Sequence, residues 1–239
     1  IPSIVGAHYE GLSLASGDPK EAAEARERVK RLLHAGSVLG ADTALVVAGG
    51  CSSTTENPYG QYDVVYENSV KNVAALAQTA KDEGVRIGIE PVWSKFLLSP
   101  LELRTFIDYA DSEWVGAYFD TGNVMIWGYP EQWIRILGTR IYKCHFKDFR
   151  RSVGNFGGFV DLLAGDVDFP QVMAAFREIG YDDFCTCEVS PYQFDAEFMA
   201  FQTAAAMDRD LTLEISAQES RVEEGQTVVV TVTAQNPRP

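Results

Sequence analysis

The stretch Val115-Gly-Ala-Tyr-Phe-Asp-Thr-Gly-Asn123 decides how this chain is read. A short apolar run ends abruptly at a carboxylate, and a glycine and an amide follow. Apolar runs of this length with turn signals at their ends read as buried strands. A lone charge is too costly to bury, so an acid closing such a strand marks a rim. The pattern recurs in Val85-Arg-Ile-Gly-Ile-Glu90, in Ile141-Tyr-Lys-Cys-His-Phe-Lys-Asp148 and in Phe184-Cys-Thr-Cys-Glu188. Four strands thus deliver Glu90, Asp120, His145 and Glu188 at or near their carboxyl ends.

Outward from this stretch, strand and helix alternate. Residues 1–7 read as a strand leading into a loop with His8 and Tyr9. Asp18-Pro-Lys-Glu21 opens a helix with Asp as N-cap and Pro at the first position, and Gly40 ends it. Thr43–Ala48 is continuously apolar after its first residue, as a strand buried on both faces should be. One helix is expected over 62–83, others after Ser99 and over 130–137, one capped by Asp168, and a last one over 194–207. A weak strand is expected near Phe159–Leu163, making seven strands with the others. Such alternation predicts an α/β fold with a parallel sheet. An open doubly wound sheet gathers its ligands at one switch point. Polar residues at the ends of several strands suit a TIM (β/α)8-type barrel instead. The barrel is expected over residues 1–208. Residues 209–239 read as a β-hairpin-like tail, with a truncated β-sandwich module as the alternative.

Composition excludes several function classes. The net charge of −14 opposes nucleic-acid binding, which depends on neutralising phosphates. No apolar run approaches the roughly 20 residues needed to span a bilayer, and no signal-peptide pattern is visible. Cys51, Cys144, Cys185 and Cys187 are too few and too scattered for a disulfide scaffold, so reduced thiols and a cytoplasmic setting are expected.

Three carboxylates and an imidazole make a hard donor set suited to Mn²⁺, Mg²⁺ or Co²⁺, with Zn²⁺ also compatible. Strand alternation places Gly88 on the same face as Glu90, and Tyr118 on that of Asp120. It also sends Lys143 to the face of His145, an awkward place for an ammonium. Each residue has a plainer reading as well. A single strand-end acid can cap a helix, and a single histidine can be a hydrogen-bonded core residue. Asn123 can simply hold its turn. Trp93 and Phe96 can be rim packing or a substrate platform, and His8 can line a pocket.

Taken in order, several segments resemble the xylose isomerase-like barrel superfamily. They are Gly88-Ile-Glu90 with Val92-Trp-Ser-Lys-Phe, Phe119-Asp-Thr-Gly-Asn123, His145-Phe-Lys-Asp148, Leu163-Ala-Gly-Asp-Val-Asp-Phe169, Ile179-Gly-Tyr-Asp182 and Cys187-Glu188. Asp-x-Gly-Asn resembles the hexulose-6-phosphate isomerase and xylulose-5-phosphate 3-epimerase branch. The resemblance implies a divalent ion, Mn²⁺ first, held by Glu90, Asp120, His145 and Glu188. It implies an enediolate intermediate, with Glu90 and Glu188 as the acid/base pair. Asn123, Lys147, Trp93 and His8 would then be substrate contacts, and the partner a small sugar or sugar phosphate. A homo-oligomer would fit. The family's first strand and helix have no match, because Ile1 aligns with its second strand, and the tail is a candidate to fill that gap. Two other readings are a non-catalytic degenerate barrel that binds carbohydrate or acts as a scaffold, and a phosphodiesterase or DNA-repair nuclease of the same superfamily.

Overall fold

The computed structural model describes residues 1–6, 13–53, 57, 59–190, 192–211, 214–216 and 233–235. The chain comprises two compact units, residues 1–119 with 136–143, and residues 120–135 with 144–239.

The first unit begins with β1 (Ser3–Val5), α1 (Pro19–Leu39) and β2 (Thr43–Val46). It continues with α2 (Tyr62–Ala74), α3 (Ala77–Glu83), β3 (Arg86–Ile89), α4 (Pro100–Tyr109) and β4 (Val115–Asp120). The caps expected of α1 are present: Asp18 accepts from Lys20 N at 2.8 Å, and Gly40 takes a left-handed φ of 71°. Ser99 caps α4 by accepting from Glu102 N at 3.2 Å, and Glu102 reaches back to Leu98 N. The single helix expected over 62–83 is divided. Leu76 N bonds to Val73 O, three residues back, and this tightened turn puts Leu76 fully in the core.

The strands β1, β2, β3 and β4 pair in parallel in that order. A Cβ added to Gly88 would meet Tyr118 Cβ at 3.0 Å and Thr43 Cγ2 at 3.2 Å, so these three positions share one face. Lys143 resolves its awkward placement. It is 1 % exposed, and its ammonium lies 3.0 Å from Asp42 Oδ1 at the start of β2, away from the ligand-bearing strand ends.

In the second unit, a 3₁₀ turn at Asn123–Ile126 precedes α5 (Pro130–Leu137). Then come β5 (Ile141–Phe146), β6 (Asp148–Phe149), β7 (Phe159–Val160), α6 (Phe169–Glu178), β8 (Cys185–Cys187) and α7 (Ala196–Leu211). Asp168 caps α6 through Gln171 N at 3.1 Å. Phe146 meets Phe169 and Phe176 of α6, with ring centroids 5.7 and 6.2 Å apart. Strand alternation therefore turns His145 to the other face. β5 and β8 are parallel, with His145 opposite Thr186.

The weak strand near Phe159 is no member of the parallel sheet. β7 pairs antiparallel with β6 instead. Asp148 explains this: its buried carboxylate accepts from Phe149 N, Gly165 N and Val167 N, which folds the glycine-rich segment back on itself. In the tail, β9 (Glu214–Ser216) and β10 (Thr233–Gln235) pair antiparallel, and β10 also pairs antiparallel with β8. The tail strands thus extend the sheet beside the strand that delivers Glu188.

Candidate metal centre

Asp120 ends β4 and is fully buried. Its Oδ1 accepts from Asn123 N at 2.8 Å, the turn that the Asp-Thr-Gly-Asn spacing suggests. Its Oδ2 faces His145 Nδ1 at 3.9 Å and Lys147 Nζ at 3.4 Å. His145 Nδ1 lies 3.0 Å from Glu188 Oε2, and Lys147 Nζ lies 2.8 Å from the same oxygen. Lys147 Nζ is also 3.4 Å from Asn123 Oδ1 and 5.5 Å from the centre of the Phe159 ring.

Asp120, His145 and Glu188 each offer a ligand atom within 4.8 Å of the others'. Together they form a group that could hold a metal ion, and their oxygen and imidazole donors fit a hard or borderline divalent cation. Burial opposes ionisation of Glu188. The hydrogen bond from His145 and the charge of Lys147 outweigh it and bring the carboxyl down to about 2. Burial raises the Cys144 and Cys187 thiols, and Cys144, Cys185 and Cys187 are buried free thiols that take no part in the cluster.

Thr121 is a residue the sequence did not single out. Fully buried, it donates from N to His145 O at 3.1 Å and from Oγ1 to Lys147 O at 2.8 Å, and it accepts from Lys147 N at 3.1 Å. Gly122 completes the junction, since a Cβ there would come 2.5 Å from Lys147 Cβ. The signal available was the polar Thr between Asp and Gly in an otherwise apolar run.

Glu90 follows β3 in the first unit, and its N–H donates to Val46 O at 3.1 Å, continuing the parallel ladder. Its side chain is buried and on the face of Gly88 by alternation. Trp93 is half-buried in the turn after it. Phe96 is packing: it meets Tyr62, Tyr66 and Phe106 edge-on at 5.6, 6.2 and 6.1 Å. The loop there carries Lys95 and Leu97 at φ of 58° and 55°. His8 lies outside the described residues. Among the described residues, no helix is long and apolar enough to cross a membrane.

Comparison with known proteins agrees with this architecture. An uncharacterized protein of Methanocaldococcus jannaschii is 23% identical over 194 residues, covering 79% of this chain and 64% of its own. A solved L-ribulose 3-epimerase superposes with a TM-score of 0.65 at 22% identity, over 78% of this chain and 61% of its own. An IolI protein with a bound zinc atom gives a TM-score of 0.74 at 18% identity, over 87% of this chain and 75% of its own. The chain therefore spans under two thirds of the length of the first two, and at these identities the likeness is one of fold. Residues 2–210 match the family described as the xylose isomerase-like TIM barrel, and the chain belongs to that family.

Proposed function

We propose that this chain belongs to a divalent-metal-dependent sugar or sugar-phosphate epimerase or isomerase. The observation that carries the reading is the convergence of Asp120, His145 and Glu188 at strand ends, with Lys147 and Asn123 beside them. Similarity to a ketose 3-epimerase and to a zinc-binding IolI protein supports a sugar substrate and a metal. Glu90, Asp120, His145 and Glu188 would hold the ion, with Mn²⁺ preferred. When bound, such an ion supplies Lewis-acid polarisation of adjacent substrate oxygens.

The chain's own residues do the proton work. Glu188, kept ionised by its neighbours, would accept the proton from the carbon beside the carbonyl, and Glu90, entering as the carboxylic acid, would give its own proton to the opposite face of the enediolate. A carboxylate held near 2 is a weak base, so Lys147 has to leave Glu188 before the proton is transferred. Asn123 and the Phe159 ring give its ammonium a place to go. Asn123, Lys147, Trp93 and His8 would contact sugar hydroxyls or phosphate, with removal of the Asn123 amide raising KM.

The test is a panel of ketoses, with and without phosphate, incubated with Mn²⁺. Appearance of an epimer or an aldose, abolished by chelator and restored by Mn²⁺, is the expected result. No turnover of any sugar together with undiminished carbohydrate binding would favour a non-catalytic barrel.

A further inference from the structure

We infer that Lys147 is an internal competitor for the divalent ion, and that it sets how tightly the ion is held. This rests on the reading of Asp120 and Glu188 as metal ligands. The Lys147 ammonium contacts Glu188 Oε2 at 2.8 Å and Asp120 Oδ2 at 3.4 Å, two of the oxygens an ion would need. Two cations cannot share those oxygens at such range, because the like-charge repulsion at a few ångströms in a partly buried site is large. One must therefore displace the other.

The backbone cannot make room. Lys147 N and O are both held by Thr121 Oγ1, and the close approach of Gly122 to Lys147 Cβ fixes where the side chain starts. Only the four-carbon stem can move. It has two partners within reach of its present position, Asn123 Oδ1 at 3.4 Å and the Phe159 ring at 5.5 Å. A lysine suits this role better than an arginine, because its compact charge turns on a flexible stem without a fork that locks onto a carboxylate.

The experiment measures Mn²⁺ dissociation constants by equilibrium dialysis on the full chain, for wild type, Lys147→Met, Lys147→Gln and Lys147→Arg, with circular dichroism to verify folding. Removing the charge should tighten Mn²⁺ binding roughly tenfold in both neutral variants. Lys147→Arg, which keeps the charge, should not tighten it. Thermal melts in chelator give a second readout: the neutral variants should melt lower than wild type and gain more from added Mn²⁺. Ion binding only in the neutral variants would also support the competition. Mn²⁺ binding by the wild type that is as tight as, or tighter than, that of both neutral variants would overturn it while leaving the metal site standing. Failure of every protein to bind Mn²⁺ would overturn the metal reading and this inference with it.

Discussion

Thr121 holds the turn after Asp120 to the backbone on both sides of Phe146, through its contacts to His145 and Lys147. Its hydroxyl is buried and used twice, so Thr121→Val should cost about 1–3 kcal/mol in urea unfolding, the usual penalty for stranding buried partners. Thr121→Ser keeps the hydroxyl and should cost less. Glu188 makes a pH prediction. Its carboxyl is brought down to about 2 from an unfolded value of about 4.3, so its contribution to stability is present above the unfolded value. It fades as the pH falls from there through about 2. The urea midpoints of wild type and Glu188→Gln, measured in chelator, should therefore converge on acidification across that window. Asp120, His145 and Glu188 were legible in the sequence because each follows an apolar run whose alternation fixes its face. The contact of Lys147 with Glu188 was not, since it joins different strands and no local pattern encodes it.

At the scale of elements, the caps were the most readable features: Asp18, Ser99 and Asp168 each accept the expected backbone N–H. The division between α2 and α3 was hidden, because nothing around Ala75 and Leu76 is a helix breaker and burial of Leu76 decides it. The pairing of β7 with β6 was hidden for a related reason. It depends on the buried Asp148 carboxylate, which read as the end of the preceding strand. Gly122 gives a prediction at this scale. In Gly122→Ala the new methyl would press on Lys147 Cβ and on its carbonyl carbon, 3.1 Å away, so the turn and strand must part. Weaker Mn²⁺ binding and a melting temperature lowered by several degrees are expected, against unchanged Mn²⁺ binding in Gly40→Ala, where a Cβ meets nothing within 4 Å and the strained left-handed φ costs stability alone. The comparison should be made on binding, which the Gly40 variant leaves intact.

For the whole molecule, α/β alternation and the barrel family were readable from the sequence, and residues 2–210 match that family. The buried ammonium of Lys143 was a puzzle by pattern alone. Its partner Asp42 lies far away in sequence, and the pair is seen only once β2 is in place. Asp42→Ala should lower the urea midpoint by removing the carboxylate 3.0 Å from the buried Lys143 ammonium, by less than the roughly 3–5 kcal/mol of a fully buried pair because Asp42 is half exposed, and Lys143→Met in the same chain should recover much of it. Ion binding should also stabilise the fold by mass action, by about 2.7 kcal/mol at a hundredfold excess over Kd, reversed by chelator. The central claim is that Glu90 and Glu188 move a proton on a sugar beside the Asp120 and His145 cluster. Deuterium incorporation from solvent into a ketose, with Mn²⁺ present, tests it most directly. Wild type should label the carbon next to the carbonyl, and Glu90→Gln and Glu188→Gln should each abolish labelling; persistence of labelling in both variants would contradict the claim.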